Sequence, residues 1–234
     1  MPKILEIADL TVNYPDGTEA LSDVTLAMPV GGRAALIGPN GAGKTSLLLA
    51  IMGGIKATGR VVVDGIELSA RTANEVRSRC GMTFQNPDDQ LFMPTLLEDA
   101  AFGPLNQGFS PKEAEARAHA AIEAVGLTGL ERRSAHNASE GQKRNASLST
   151  ILSMNVKLLL LDEPGAGLDF RSRTRLTGIL ASRGEALLMA THDMDMVRAL
   201  CGTVILLDAG RIAAAGSVAE VLDNAELLAK HGLA

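Results

Sequence analysis

The sequence has few cysteines and no long uncharged stretch, and these absences exclude several classes of protein. Cys80 and Cys201 lie far apart without a CxxC spacing, so we expect two buried, reduced thiols rather than a disulfide framework. The longest stretches without a charged residue are 12 residues, at 100–111 and 145–156. A membrane-spanning helix needs about 18 apolar residues, so no span is expected. No apolar run precedes Glu6, so a secretory signal is not expected either.

Neither an excess of basic charge nor low complexity is present. The chain has 22 basic and 27 acidic residues, a net charge of -5, so no general affinity for nucleic acid is expected. It has no low-complexity tract and no repeat, and its 46% hydrophobic and 21% charged residues are typical of a globular protein. The mean hydropathy is +0.14, slightly apolar, which favours a surface partly covered by a partner.

The order of predicted elements indicates an α/β fold. Short apolar runs at 33–37, 157–161, 186–190 and 203–207 predict buried strands, with helices near 44–52, 170–181 and 194–199 between them. Such alternation favours a parallel sheet with both faces covered. Further strands are predicted at 4–12, 20–28 and 59–64, and the tail from Ser217 is predicted to be helical. Prolines punctuate the stretch from 87 to about 150, which has no β-rich run and predicts an inserted helical segment.

A glycine-rich segment follows the predicted strand at 33–37. Residues 38–45, GPNGAGKT, fit the pattern GxxxxGK[ST] between a strand and a helix. Glycines let backbone N–H groups converge on an anion, and the helix N-terminus adds partial positive charge. Lys44 can then reach the β- and γ-phosphates of a nucleotide, and the Thr45 hydroxyl can bind Mg²⁺. The sequence therefore predicts a nucleoside triphosphate site.

Two carboxylates end the apolar strand Leu158–Leu161. Ligands of parallel sheets lie beyond the carboxyl ends of the strands, so Asp162 could hold Mg²⁺ and Glu163 could orient or deprotonate water. Acids after a strand can also serve only as caps of the next helix. The phosphate loop upstream favours the catalytic interpretation.

With these residues in order, the chain resembles the ATP-binding cassette (ABC) ATPases. That family places an adenine-stacking aromatic at Tyr14, a loop glutamine that senses Mg²⁺ and γ-phosphate at Gln85, and a switch histidine at His192. Residues 138–142, ASEGQ, stand at its signature motif, and Asp169 stands in its dimer-interface loop. The resemblance implies one domain over 1–234, a P-loop NTPase with a RecA-like core, an N-terminal antiparallel β subdomain and a helical subdomain inserted at about 87–150.

The resemblance also implies cofactors and roles for single residues. ATP and Mg²⁺ are the implied cofactors, with Glu163, His192, Gln85 and Lys44 as catalytic residues. The implied metal ligands are Thr45, Gln85 and Asp162. The implied nucleotide contacts are Tyr14, Gly38, Asn40, Gly41, Gly43, Lys44, Thr45, Ser46, Ser139, Gly141, Gln142 and Asp169.

The segments 84–92, FQNPDDQLF, and 98–105, EDAAFGPL, resemble the ATPases of energy-coupling-factor importers, especially the cobalt/nickel group. The resemblance implies a second ATPase subunit, a transmembrane coupling subunit and a membrane substrate-binding subunit, with this chain peripheral on the cytoplasmic face of the cell membrane. Residues 90–92 would receive the membrane partner. The alternative, which we favour less, is that Leu91 and Phe92 belong to the core of the helical subdomain. The four histidines show no ligand spacing, so the transported metal is not expected to bind here.

Alternatives from other classes stay open to different degrees. An importer of nickel or a vitamin has the same ATPase, and a soluble non-transport ABC ATPase is disfavoured by the net charge and the short insertion. A GTPase is disfavoured because the chain has no Asn-Lys-x-Asp motif. A non-catalytic binding cassette stays possible because Glu140 replaces a signature glycine. Glu140 either brings a like charge near the phosphates or turns outward, and we favour the outward orientation. Ala138, Gly165 and Phe170 depart from the common family residues too.

Overall fold

The structure is a computed structural model that describes residues 2–233. The chain divides into two compact units. The first contains the residues up to Cys80, Lys157–Asp162 and those from Gly184 onward, and the second contains Gly81–Val156 and Glu163–Arg183. Within 2–233, no helix is long and apolar enough to cross a bilayer.

An antiparallel sheet forms one layer of the first unit. Its strands are β1 (Lys3–Asn13), β2 (Glu19–Pro29), β4 (Thr58–Val63) and β5 (Ile66–Glu67), in the order β2-β1-β4-β5. Ile7 of β1 lies opposite Leu26 on one side and Val61 on the other, and Ile7 and Val61 are buried. This sheet is the predicted N-terminal antiparallel β subdomain.

A mainly parallel sheet forms the second layer of this unit. Its strands here are β3 (Arg33–Ile37), β7 (Leu158–Asp162), β8 (Ala186–Ala190), β9 (Thr203–Asp208) and β10 (Arg211–Ser217). They run β10-β9-β3-β8-β7, and only β10 is antiparallel to its neighbour. Every residue of β7 and β8 is buried, as expected for strands covered on both faces. Because β3, β7, β8 and β9 are parallel, their carboxyl ends meet at one edge.

Strand β10 was not predicted from the sequence. Its small residues, RIAAAGS, have weak β propensity and read as a loop. A two-residue turn holds the strand in place, with positive φ at both Ala209 and Gly210, as hairpin turns of type I′ require.

Helices of the first unit follow the strands. They are α1 (Lys44–Ile51), α2 (Ala73–Arg79), α7 (Met194–Leu200), α8 (Val218–Leu222) and α9 (Ala225–Lys230). Ser217 caps α8 with a reciprocal Ser217–Glu220 capping box, so the predicted helical tail is confirmed.

The second unit is mostly helical. Strand β6 (Cys80–Thr83) begins at the last residue of the first unit, and the helices are α3 (Leu96–Asn106), α4 (Pro111–Ala124), α5 (Glu140–Leu152) and α6 (Phe170–Ala181). Short 3₁₀ turns occur at Pro87–Asp89 and Ala135–Asn137. Between 87 and 150 the described chain forms helices and turns and no strand. The α/β class of the predicted fold is confirmed, whereas the bounds 87–150 of the helical subdomain stay a prediction.

Candidate active site

The phosphate loop lies between β3 and α1, and two of its glycines cannot be replaced without a clash. A Cβ at Gly38 would lie 2.0 Å from the Leu207 carbonyl oxygen, and one at Gly43 would lie 2.5 Å from the Ala20 carbonyl oxygen. Both residues also have positive φ, which disfavours side chains. These glycines keep the loop close to the neighbouring backbone. The loop then leads directly into the N-terminus of α1, where N–H groups without helical partners favour an anion.

Lys44 holds its ammonium group over this loop. Its Nζ donates to the carbonyl oxygens of Gly38 at 2.6 Å and Pro39 at 3.0 Å, and lies 3.2 Å from Nε2 of His192. The side chain is buried, so its charge is little screened by water. His192 Nε2 also lies 3.2 Å from Asn40 Oδ1. In the neutral imidazole this nitrogen either accepts from Lys44 or donates to Asn40. The predicted residues Asn40, Lys44 and His192 thus lie together.

The side-chain oxygens of Thr45 and Asp162 lie side by side close to Lys44. Thr45 Oγ1 donates to Asp162 Oδ2 at 2.7 Å, although the two residues are 117 positions apart in the chain. Burial raises the pKa of Asp162, and the hydrogen bond from Thr45 and the charge of Lys44 partly offset this. A hydroxyl and one carboxylate fit Mg²⁺, which prefers few protein ligands together with phosphate oxygens and water. Among residues 2–233, no cluster of three or more His, Cys, Asp or Glu could hold a metal ion.

Tyr14 directly follows β1, and its hydroxyl lies 3.0 Å from Ser46 Oγ. Ser46 is the residue after Thr45, so the structure brings Tyr14 beside α1. Stacking of this ring on adenine stays a prediction.

The remaining predicted site residues belong to the second unit. Gln85 is exposed. The segment 82–84 predicts a strand that ends directly before Gln85, whereas β6 ends at Thr83, one residue earlier. Glu163 directly follows β7 and has a positive φ of 46°. Its carbonyl oxygen accepts hydrogen bonds from Ala166 N and from the guanidinium of Arg144. Arg144 was not among the residues predicted from the sequence, where its one distinguishing feature is a positive charge two positions after the signature.

Two of these residues cap helices. Ser139 is the N-cap of α5, with Gln142 N donating to Ser139 Oγ at 3.3 Å and Ser139 N donating to Gln142 Oε1 at 2.9 Å. Asp169 caps α6 by accepting from Ser172 N at 2.7 Å, and this hydrogen bond lowers the pKa of Asp169. Between Ser139 and Gln142, a Cβ on Gly141 would make only ordinary contacts.

Glu140 faces a lysine of its own helix. Lys143 Nζ lies 3.4 Å from Glu140 Oε1 and 2.8 Å from Asp88 Oδ1. The hydrogen bond to Asp88 raises the pKa of Lys143, and Glu140 adds to the effect. Glu140 is exposed and partly compensated by Lys143, which supports the outward orientation.

Replacing Glu140 by glycine is therefore expected to change ATP hydrolysis less than about tenfold, because an exposed ion pair contributes little free energy. Steady-state phosphate release measures this. A rise far beyond tenfold would mean that Glu140 repels the nucleotide, and Glu226→Gly on α9 controls for loss of an exposed helical carboxylate.

Known proteins are similar to this chain in sequence and in fold. A family profile described as ABC transporter matches residues 21–166, which include the phosphate loop, the signature and both carboxylates. The chain belongs to this family. The cassette is therefore an ATP-hydrolysing enzyme, and the predicted resemblance is confirmed.

Individual relatives cover nearly all of the cassette. It is 41% identical over 239 residues to the cobalt import ATP-binding protein CbiO of Rhodobacter capsulatus, spanning 100% of this chain and 85% of the relative. It is 38% identical over 236 residues to the energy-coupling factor transporter ATP-binding protein EcfA of Methanothermobacter thermautotrophicus, spanning 98% and 76%. Its fold is similar to that of cbiO1 from Clostridium perfringens, part of the transporter complex cbiONQ, with a TM-score of 0.83, 32% identity and coverage of 100% and 96%.

Proposed function

We propose that this cassette is the ATPase subunit of an energy-coupling-factor importer that drives uptake of a divalent transition metal, with cobalt as the first candidate. The observation that carries the catalytic part is the 2.7 Å contact of Thr45 with Asp162 beside the buried Lys44. The whole-length similarity to proteins named for cobalt import and for energy-coupling factors supports the importer part.

The first unit supplies the groups that bind the phosphates. The loop N–H groups and Lys44 neutralise the β- and γ-phosphates of ATP, and His192 lies close enough to Lys44 to contact the same γ-phosphate. Thr45 and Asp162 would hold Mg²⁺, which supplies further neutralisation of phosphate charge when bound. Tyr14 contacts the adenine, and Asn40 positions His192.

The family resemblance assigns the hydrolytic step to residues that belong to the second unit. Glu163 orients a water molecule for in-line attack on the γ-phosphorus, and Gln85 completes the contacts around the γ-phosphate. Ser139, Gly141 and Gln142 of a second copy close over that phosphate, with Asp169 at the interface between copies. Two such sites form in a twofold-symmetric pair, and hydrolysis lets the pair open.

A surface of the second unit is suited to a membrane partner. Of residues 90–92, Gln90 bonds α5 through Ser147 and Thr150, and Leu91 is buried, but Phe92 is 63% exposed. The Phe92 ring packs edge-on against that of Phe102, with centroids 5.0 Å apart. An exposed pair of aromatic rings favours contact with another protein. If that protein is the membrane subunit, the cassette would lie peripherally on the cytoplasmic face of the membrane.

Replacing Phe92 by serine is expected to weaken binding to the membrane subunits by about tenfold or more, because aromatic anchors contribute most to such interfaces. Co-purification of the cassette with its tagged membrane partners measures this. Val30→Ser in the first unit is the control, since Val30 is also exposed. Undiminished co-purification of the Phe92 variant would show that this surface is not part of the interface.

The cargo is tested with the complete complex in vesicles. We expect Co²⁺ to be accumulated in an ATP-dependent manner, with Ni²⁺ as a competitor. Uptake of Ni²⁺ or a vitamin in place of Co²⁺ would support the importer function and refute cobalt as the cargo. Full ATP hydrolysis by a cassette that never joins a membrane subunit would favour a soluble, non-transport ATPase.

A further inference from the structure

We propose that Arg144 is a positioning residue that connects the signature helix α5 to the water-activating Glu163 of the same chain. This inference rests on the proposed function, because it assigns a role to a contact between two parts of the ATPase machinery. Both residues belong to the second compact unit.

The contact runs from a side chain to the main chain. Nη1 of Arg144 donates to the carbonyl oxygen of Glu163 at 3.2 Å. The same carbonyl accepts from Ala166 N at 3.1 Å, so the turn after β7 and the helix α5 hold it together. A charged donor makes a stronger hydrogen bond than a neutral one, and Arg144 is half-buried, where screening by water is reduced.

The backbone of Glu163 needs such support. Its φ of 46° lies in the left-handed region, where the Cβ of an L-residue crowds the following carbonyl. Residues in this region keep their conformation only when neighbouring groups fix it, and they are concentrated at functional sites. Fixing the Glu163 carbonyl also fixes the direction in which its Cβ leaves the chain, and this direction limits the positions that the carboxylate can reach.

The surrounding charges agree with this arrangement. Burial lowers the pKa of Arg144, while the carboxylates of Glu140 and Glu163 act in the opposite direction. Arg144 is always protonated in proteins. Its guanidinium therefore attracts the carboxylate of Glu163 as well as binding the carbonyl oxygen of that residue.

The position of Arg144 on α5 connects the contact with Glu163 to the closure of two cassettes over ATP. Ser139, the N-cap of α5, would contact the ATP of the second copy, and Arg144 lies just over one turn further along the same helix. A shift of α5 on closure over that ATP would be transmitted to Glu163 in the chain's own site.

Arg144→Met tests the proposal, since methionine keeps an unbranched side chain but has no donor and no charge. We expect kcat to fall about tenfold to 100-fold, the range for loss of a charged hydrogen bond, with the KM for ATP within about threefold of wild type. In a Glu163→Gln background, Arg144→Met should still form the ATP-dependent dimer. Arg144→Lys, which restores a charged donor, should recover at least about half of the lost activity on a logarithmic scale.

The control is Arg117→Met on α4, where the guanidinium lies 4.0 Å from the centre of the Phe109 ring and makes no contact with Glu163. This variant should keep wild-type kcat. An unchanged kcat in Arg144→Met would overturn the proposal, and so would a loss of kcat together with loss of the ATP-dependent dimer, because that shows general disruption of α5. All readouts use ATP, so failure of cobalt uptake would refute the cargo and leave this inference standing.

Discussion

Glu163→Gln is expected to reduce ATP turnover by about 100-fold to 10,000-fold, the range for loss of a general base. Glutamine keeps the size and shape of glutamate but cannot accept a proton from water. The variant leaves Lys44 unchanged at the phosphates, and it leaves Thr45 and Asp162, which would hold Mg²⁺, unchanged too. ATP is therefore expected to bind and the two copies to close over it. Phosphate release gives the turnover, and size-exclusion chromatography with light scattering gives the mass of the trapped dimer.

The matched control is Glu123→Gln, on the exposed face of α4, which should hydrolyse ATP at the wild-type rate. Wild-type turnover from Glu163→Gln would show that Glu163 is not the residue that activates the attacking water. Loss of turnover without the ATP-dependent dimer would mean that Glu163 supports binding rather than hydrolysis.

Lys44→Ala is expected to weaken ATP binding by about 30-fold or more, because truncating one member of a buried charge pair costs at least about 2 kcal/mol. The carbonyl oxygens of Gly38 and Pro39 hold the Lys44 ammonium at the loop, and the truncation removes this cation from the phosphate site. Fluorescent nucleotide titration or calorimetry measures the affinity.

Lys56→Ala is the control for Lys44→Ala, since Lys56 is an exposed lysine beyond the end of α1. Its affinity for ATP should equal that of wild type. Binding by Lys44→Ala within about twofold of wild type, a difference of only about 0.4 kcal/mol, would refute the phosphate-loop assignment.

The predictable part of the site follows from the ends of parallel strands. Thr45 follows β3 and Asp162 ends β7, and both strands were recognisable as buried apolar runs. Since parallel strands bring their carboxyl ends to one edge, the sequence predicted the neighbourhood that the structure shows, with 2.7 Å between the two oxygens. His192, after β8, is placed by the same logic.

Other contacts could not be predicted because they depend on side-chain choice among equivalent partners. Lys143 had several acids within reach, and only the folded chain shows that it bonds both Asp88 and Glu140. Arg144 binds a main-chain carbonyl. Every residue has such a carbonyl, so the residue types do not show which one an arginine binds. Leu91 and Phe92 are both apolar, yet one is buried and the other exposed, because Asp99 Oδ1 accepts from the backbone N–H groups of Phe92 and Met93 and fixes that turn.

The central claim is that ATP hydrolysis at this site drives uptake through membrane partners. The most direct measurement is Co²⁺ accumulation in vesicles that contain the complete complex, with wild-type or Glu163→Gln cassette. We predict accumulation with wild type and ATP, and none above the ATP-free background with Glu163→Gln. Equal Co²⁺ accumulation by the two complexes would contradict the account.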